Sequence, residues 1–346
     1  MLKIKPKNEC RWDLVSLGEL LLRFCPGDGR IQTANSFEVY DGGGEYNVAR
    51  NLANCFRLKT AIITALADNQ IGRLAENLAR RGGVDVSEIE WRDADELRNG
   101  LYFIERGFGT RPPASSFDRR DTAISNIEKN AFDWQKITAE TRWLHTGGIF
   151  AGLCKATADA ALEAMKAAQS NGAVVSYDLN YRDSLWRKKG GKTAANNLNR
   201  ELLKYADVVF GLFDFDARLS VFDENNFKNA AEQMSREFPS LHVIASTLRE
   251  VRTATLHDLS GVIWQKDEIF QAKNYLNCEI FDRVGSGDAF ASGVIYGLLN
   301  GKSAQVSIDC AAACGVLAMT TAGDNLQVSA DEVESLMQGA GAMVRR

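Results

Sequence analysis

The sequence predicts an α/β protein of three layers, α/β/α, in which helices cover both faces of a mostly parallel sheet beside a small antiparallel β lid. From about residue 140 onward, short apolar runs alternate regularly with segments of helical periodicity, as they do in βα units. Two hairpin-like patches, at about 19–41 and 98–122, interrupt this alternation in the first part of the chain. We therefore expect one domain, 1–346, with the lid inserted in the α/β core.

Composition restricts the function classes. The chain has 346 residues, 45% of them hydrophobic and 25% charged, with a net charge of −4. No positive field favours nucleic acid or an anionic membrane. The N-terminus lacks the apolar core of about 7–15 residues of a signal peptide, and no run approaches the roughly 20 apolar residues of a membrane span. Seven scattered cysteines form no C-x-x-C pair, and the three histidines lack metal-ligand spacing. We expect a cytoplasmic protein that acts on small molecules.

The elements of the first part follow from local patterns. Apolar runs of strand length predict strands at 13–18 and 61–66, and helical patterns predict helices from the glycines after Asp41 to about residue 56 and over 71–82. Extended patches predict the lid strands, at 20–24, 37–40, 100–105 and 116–119.

The second part predicts the regular core. Its strands are expected at 143–146, 174–178, 208–211 and 241–246, and its helices at 155–169, 194–205, 227–238, 289–299 and 304–320. Ligands of such sheets bind at the carboxyl ends of the strands. Asp178, Asn180 and Arg182 follow one of those ends, so they are site candidates. A solvated connector is the alternative.

A glycine loop before a helix predicts an anion site. Gly285, Ser286 and Gly287 run into Asp288 at the start of a helical segment. Glycines let backbone N–H groups approach a ligand, and a helix N-terminus favours a phosphate. An aspartate at such a site is useful if it takes a proton from a hydroxyl that attacks the phosphate. The pattern therefore indicates phosphoryl transfer to an alcohol, with a capped turn as the alternative.

Other phosphate-binding and nucleophile motifs fail. The stretches 191–193 and 301–303 end like P-loops, but Trp186 and Tyr296 occupy the required glycine positions. The loop at 285 is not a dinucleotide fingerprint, because its sixth position is Phe290. The hydrolase elbow G-x-S-x-G is absent, which leaves covalent catalysis without support.

Two motifs resemble those of a known family. Residues 41–47, DGGGEYN, and 282–290, DRVGSGDAF, resemble the N- and C-terminal motifs of the ribokinase-like (PfkB) carbohydrate kinases, in the same order and roughly 240 residues apart. The resemblance implies a ribokinase-like fold and transfer of the γ-phosphoryl group of ATP to a sugar hydroxyl. It also implies Mg²⁺, and it leaves activation by a monovalent cation such as K⁺ open.

Within that family the chain looks most like the 2-keto-3-deoxygluconate (2-dehydro-3-deoxygluconate) kinases. The likeness rests on Gly18-Glu19, on 22–24, on Arg111-Pro112, on 178–182 and on 282–285. A sugar acid also fits the arginines of the lid and of the strand end, since a carboxylate binds well to a guanidinium fork.

The resemblance assigns roles to individual residues. Asp288 would be the general base, with Gly285, Ser286 and Gly287 as the anion hole. The sugar site would comprise Gly43, Gly44, Asn47, Tyr102, Phe117, Arg119, Arg182 and Asp324. The nucleotide site would comprise Asn180, Thr247, Arg249, Gly285, Gly287, Ala313, Cys314 and Leu317.

One motif departs from the family pattern. The family usually carries N-x-x-E, whose glutamate holds Mg²⁺ through water, whereas this chain has Phe213 and Asp216 at the two positions. Asp216 is therefore the candidate metal residue, although Mg²⁺ needs few protein ligands. A kinase for fructose, ribose or a nucleoside, or a sugar-binding sensor without catalysis, remain alternatives. Exposed lid edges predict a homodimer formed through the lid.

Overall fold

A large mixed sheet forms the centre of the protein. The computed structural model describes residues 2–339. Within that range the strands, in chain order, are β1 (Leu14–Leu17), β2 (Leu21–Cys25), β3 (Glu38–Gly42), β4 (Thr60–Ala67), β5 (Val84–Asp85), β6 (Ile89–Arg92), β7 (Leu101–Glu105), β8 (Ala114–Asp118), β9 (Trp143–Gly147), β10 (Val174–Asp178), β11 (Val208–Phe210), β12 (Val243–Thr253), β13 (Leu256–Gln265), β14 (Glu268–Gln271) and β15 (Tyr275–Glu279).

The main sheet has eleven strands, in the order β14-β13-β12-β11-β10-β9-β1-β4-β5, with β15 beside β13 and β6 beside β4. The strands from β5 to β12 along this order pair in parallel, whereas β13 to β15 form an antiparallel edge. The predicted α/β class with a mostly parallel sheet is confirmed.

Helices cover both faces of this sheet. They are α1 (Gly44–Phe56), α2 (Gln70–Arg81), α3 (Trp134–Ala139), α4 (Gly148–Ala151), α5 (Lys155–Ser170), α6 (Asp183–Trp186), α7 (Gly191–Leu203), α8 (Glu224–Glu237), α9 (Ser286–Leu299), α10 (Ala304–Ala318) and α11 (Ala330–Met337). One apolar core includes residues of α1, α9 and α10, and the other includes residues of α5, α7 and α8.

The two cores explain the continuous apolar runs of the central strands. In β4, Ile62 and Leu66 pack into the core with α1 and α9, while Ala61 and Ile63 pack into the core on the opposite face. A strand that is buried on both faces has no polar side to alternate with. This arrangement places the carboxyl ends of β1, β9 and β10 side by side, and the candidate residues follow those ends.

The lid is a separate four-stranded sheet in the order β3-β2-β7-β8. The predicted antiparallel pairing holds for β2 with β3 and for β7 with β8. The two hairpins are joined in the middle by parallel pairing of β2 with β7, which the sequence did not predict. Phe24 of β2 and Phe103 of β7 pack against each other and against Phe37, which precedes β3, with ring centroids 5.3 to 6.2 Å apart.

Two predicted features of the core need correction. The strand expected at 241–246 begins at Val243 and continues to Thr253, and it forms a long hairpin with β13. Strands β13 to β15 had no predicted counterpart. Across residues 2–339, every helix is too short or too polar to cross a membrane.

Candidate active site

The glycine loop before α9 forms the floor of the candidate site. Gly285 has φ of 78°, and a Cβ atom at this position would lie 1.8 Å from the carbonyl oxygen of Asp324. Only glycine fits there, because the conformation is left-handed and the neighbouring backbone is close. A Cβ atom on Gly287 would meet nothing within 4 Å, so there is open space above the first turn of α9.

Asp288 lies in that first turn and is bound by the distant N-terminal motif. Its Oδ2 atom accepts a hydrogen bond of 2.7 Å from Nδ2 of Asn47 in α1. A Cβ atom on Gly44 would be 3.9 Å from Oδ1 of Asp288 and 3.9 Å from Nδ2 of Asn180. The glycine triple (Gly42, Gly43 and Gly44), the segment after β10 and the glycine loop therefore meet around the carboxylate of Asp288. Gly43 permits this approach with φ of 138°, since a Cβ atom there would lie 2.1 Å from the carbonyl oxygen of Glu19.

The surroundings of Asp288 favour its neutral form in the free protein. Burial raises the pKa of Asp288 well above its usual value, and the negative charges of Asp178, Asp324 and Glu45 raise it further, against the hydrogen bond from Asn47. Burial likewise raises the pKa of Glu45 to about 8 and that of Asp178 to about 6. A carboxylate with a raised pKa is a stronger proton acceptor once it is ionised, which suits a general base.

Arginines without carboxylate partners surround the same loop. Arg249 of β12 donates a hydrogen bond of 2.7 Å from Nη2 to Oγ of Ser286, and its buried Nε atom has no partner. Among residues 2–339, no carboxylate lies within ion-pair distance of Arg249, Arg182 or Arg283. Burial lowers the pKa of Arg249 to about 10, and the positive charges of Arg283 and Arg182 lower it further. Unpaired guanidinium groups beside a helix N-terminus suit a polyphosphate.

The lid contributes aromatic and cationic side chains on the other side. The ring of Phe117 stacks on that of Tyr102 at 5.4 Å and is half exposed. The Arg119 guanidinium lies 4.7 Å from the centre of the Phe117 ring, and its Nη1 atom donates to Oε2 of Glu19 at 2.7 Å. An aromatic face and a guanidinium thus border the space between lid and core.

Two predicted sugar-binding groups are engaged inside the protein. The hydroxyl of Tyr102 donates to Oδ2 of Asp324, and Nη1 of Arg23 donates to Oδ1 of the same carboxylate at 2.6 Å. Arg23 also binds Asp282, and its side chain is completely buried. Burial raises the pKa of Asp324 despite the opposing charge of Arg23. These contacts tie lid strands β2 and β7 to the segments on either side of the glycine loop.

The predicted nucleotide residues divide into two groups. Thr247 lies on β12, two residues before Arg249, and Leu317 is partly buried on α10. Ala313 and Cys314 of the same helix are fully buried in the core. Of the three α10 residues, only Leu317 offers side-chain surface to a ligand, so the side chains of Ala313 and Cys314 are poorly placed to border adenine.

The predicted metal residue does not fit a metal site. Asp216 is exposed, and the guanidinium of Arg218 donates hydrogen bonds of 2.6 to 3.0 Å to both of its carboxylate oxygens. The hydrogen bonds from Arg218 lower the pKa of Asp216. Phe213 lies against the Arg200 guanidinium at 4.8 Å instead of presenting a ligand. Across residues 2–339, no group of three His, Cys, Asp or Glu side chains could hold a metal ion.

Sequence reasoning missed several residues that shape the site, among them Glu45, Arg23 and Arg283. Glu45 follows the glycine triple directly and lies two residues before Asn47, and its place within this motif is a usable signal. Arg23 occurs in an alternating lid strand, and nothing in the local pattern indicates its burial. Arg283 lies within the glycine-loop motif itself, and a basic residue next to a phosphate loop is a usable signal.

The fold is a mostly parallel α/β sheet with a β lid. The site combines an aspartate at the start of a glycine-flanked helix with arginines that have no carboxylate partner. Together these features indicate a phosphotransferase that acts on a small molecule. A sequence profile described as "pfkB family carbohydrate kinase" matches residues 12–331. The chain belongs to the pfkB family of carbohydrate kinases.

Known relatives span almost the whole chain. A 2-dehydro-3-deoxygalactonokinase from Haloferax volcanii is 27% identical over 96% of this chain and 99% of its own length. A 5-dehydro-2-deoxygluconokinase from Bacillus subtilis is 24% identical over 96% and 97%. The crystal structure of a 2-dehydro-3-deoxygluconokinase from Thermotoga maritima is 33% identical and superposes with a TM-score of 0.86, covering 94% of this chain and 99% of that one. The ribokinase-like fold and the resemblance to this family are thereby confirmed.

Proposed function

We propose that the protein transfers the γ-phosphoryl group of ATP to the terminal hydroxyl of 2-keto-3-deoxygluconate and yields the 6-phosphate. The observation that carries the proposal is the position of Asp288. It lies in the first turn of α9, is hydrogen-bonded by Asn47, and borders open space above Gly287. A hydroxyl in that space would be within reach of the base and of the anion site together.

The chemistry follows from the residues. Asp288 accepts the proton of the attacking hydroxyl, and Asn47 keeps the carboxylate oriented. The backbone N–H groups of Ser286 and Gly287, together with the dipole of α9, stabilise the charge on the transferred group. Arg249, fixed on Ser286, adds positive charge on the nucleotide side. The lid closes over both substrates and excludes water, which suppresses hydrolysis of ATP.

The sugar-acid assignment rests on the cations of the cleft. Arg119 directly follows lid strand β8, and Arg182 precedes α6 just beyond the end of β10, so either guanidinium could pair with a substrate carboxylate. The relatives named above act on keto-deoxy sugar acids, so 2-keto-3-deoxygalactonate and 5-keto-2-deoxygluconate are the competing substrates. A neutral hexose, a pentose or a nucleoside would offer no carboxylate to Arg182 or to the N–H groups of Arg119 that its ion pair with Glu19 leaves free.

Magnesium is expected to enter with ATP, which needs a divalent cation to neutralise its phosphates. Since Asp216 does not fit a metal site, we assign no protein ligand to that ion. We also propose that the protein is cytoplasmic and forms a homodimer through the lid. Every residue of the lid edge strand β8 is exposed, which suits pairing with a second chain. Light scattering tests the dimer.

A panel of acceptors tests the function. ADP release is measured with ATP, Mg²⁺ and, in turn, 2-keto-3-deoxygluconate, 2-keto-3-deoxygalactonate, 5-keto-2-deoxygluconate, fructose, ribose and adenosine. The highest kcat/KM is expected for 2-keto-3-deoxygluconate. A preference for a neutral acceptor contradicts the sugar-acid assignment. Sugar binding without turnover at any Mg²⁺ concentration supports a sensor instead. A K⁺ titration in the same assay tests monovalent activation.

A further inference from the structure

A buried ion pair joins the two ends of the lid. Glu19 follows β1 where the lid begins, and Arg119 follows β8 where the lid ends. Nη1 of Arg119 donates to Oε2 of Glu19 at 2.7 Å. The Glu19 side chain is 3% exposed and that of Arg119 17% exposed. The carboxylate therefore lies inside the protein, and the guanidinium reaches from it toward the cleft.

The contact leaves most of the guanidinium free. Arg119 has five N–H donors, and Glu19 is the one hydrogen-bond acceptor that residues 2–339 provide for them. The face of the group lies against Phe117, with 4.7 Å between Cζ and the ring centroid. A guanidinium held through one nitrogen and one face presents its remaining edge in a defined direction. Such an edge binds a planar anion in a bidentate manner.

Close packing holds the backbone of Glu19 in place. The backbone of Glu19 abuts the glycine triple, where a Cβ atom on Gly43 would lie 2.1 Å from the Glu19 carbonyl oxygen. At the neighbouring Gly18, a Cβ atom would lie 2.4 Å from Oε2 of Glu45, so this position also has no room for a side chain. Oε1 of Glu19 is buried and has no hydrogen-bond partner. A protein tolerates such an atom at a free-energy penalty, which indicates that the position serves more than packing.

We propose that Glu19 is a positioning residue that aims the Arg119 guanidinium at the carboxylate of the acceptor sugar and so determines the preference for a sugar acid. This inference rests on the proposed function. Glu19 itself does not touch the reacting atoms. Its carboxylate binds Arg119 on the side away from the substrate. This contact limits the directions in which the free edge of the guanidinium can point. Substitution of Glu19 should therefore reduce the preference of the protein for charged over neutral acceptors. The rate of the chemical step should not change.

The test compares binding of two acceptors to wild-type protein and to the Glu19→Gln variant. Titration calorimetry with 2-keto-3-deoxygluconate and with fructose gives a Kd for each. The amide keeps the shape of the carboxylate but removes its charge. We expect the Kd for the sugar acid to rise about tenfold, as the charge-assisted contact weakens. The Kd for fructose and the kcat at saturating sugar acid should stay within about twofold, since Glu19 acts only through Arg119.

Two further variants identify the route of the effect. The double variant Glu19→Gln/Arg119→Met is expected to bind the sugar acid with the same Kd as Arg119→Met alone. The two changes should not add, because both remove the same interaction. Glu105→Gln is the matched control. Glu105 is a buried lid glutamate that pairs with Arg30 and Arg111, and it has no assigned role in the site. Its substitution should leave both Kd values unchanged.

The outcomes separate the inference from the function. If wild-type protein binds the sugar acid and Glu19→Gln binds it equally well, the inference is wrong and the function stands. Equal weakening for the acid and for fructose, or full additivity with Arg119→Met, also overturns the inference, because either result indicates a general structural role. If wild-type protein does not bind the sugar acid at all, the proposed function itself fails.

Discussion

Replacing Asp288 by asparagine separates catalysis from stability at one position. The amide oxygen of the new side chain can still accept the hydrogen bond that Asn47 gives at 2.7 Å, so the geometry of the loop should persist. The variant loses only the proton acceptor. Loss of a general base lowers rates by about 10²–10⁴-fold, which corresponds to roughly 3–5 kcal/mol of barrier. Sugar affinity should change little.

The same substitution should stabilise the folded protein. Because the pKa of Asp288 is raised on folding, chiefly by burial, the native state disfavours its ionised form at neutral pH. A neutral amide avoids that penalty, so the free energy of unfolding should equal or exceed that of the wild type. This is the trade-off expected where activity requires an unfavourable charge.

Coupled ADP-release kinetics, titration calorimetry of the sugar and urea denaturation measure the three quantities on one preparation. Asp309→Asn is the matched control, since Asp309 lies on α10 and accepts a hydrogen bond from Gln305 of the same helix. It should leave the rate unchanged. A near-wild-type rate in Asp288→Asn would refute the general-base role. A large fall in stability would refute the reasoning about the raised pKa.

Three further predictions test the phosphate-binding groups, the glycine loop and the charges around the general base. Arg249→Met should lower kcat about 10²-fold with unchanged sugar affinity, because it removes a charge held at the anion site; equal kcat values in steady-state kinetics would contradict this. Gly285→Ala should lower the free energy of unfolding in urea by roughly 1–3 kcal/mol or prevent folding, whereas Gly287→Ala, with open space around its Cβ, should unfold at the wild-type midpoint. Asp178→Asn removes a negative charge that helps to raise the pKa of Asp288, so the acid limb of the kcat/KM profile should move to lower pH; an unchanged limb would show that the two carboxylates do not interact.

The regular core was predictable because its signal is local. The central strands are buried on both faces, so each appears as a short apolar run between helical segments. The strand predicted at 174–178 agrees with β10 at both ends. The antiparallel edge was not predictable in the same way. Strand β13 continues a hairpin from the end of β12, and the bounds of such a hairpin depend on pairing between distant backbone groups.

The sequence motifs of the candidate site were predictable, but most of the side-chain contacts between them were not. The glycine loop and the glycine triple could be recognised from their residues, and the structure brings Asn47 onto Asp288 across 241 positions of the chain. Arg23 shows the limit of such reasoning. A charged residue in an alternating strand is normally assigned to the solvent face. Here it is buried because Asp282 and Asp324 neutralise it, and neither partner is visible in the local pattern.

The burial of Arg23 has a consequence for synthesis of the chain. Its partners Asp282 and Asp324 lie 259 and 301 positions later. A domain is made from its N-terminus, and a buried charge without its partner is strongly unfavourable. We therefore expect β2 to reach its buried position only after both aspartates have been synthesised.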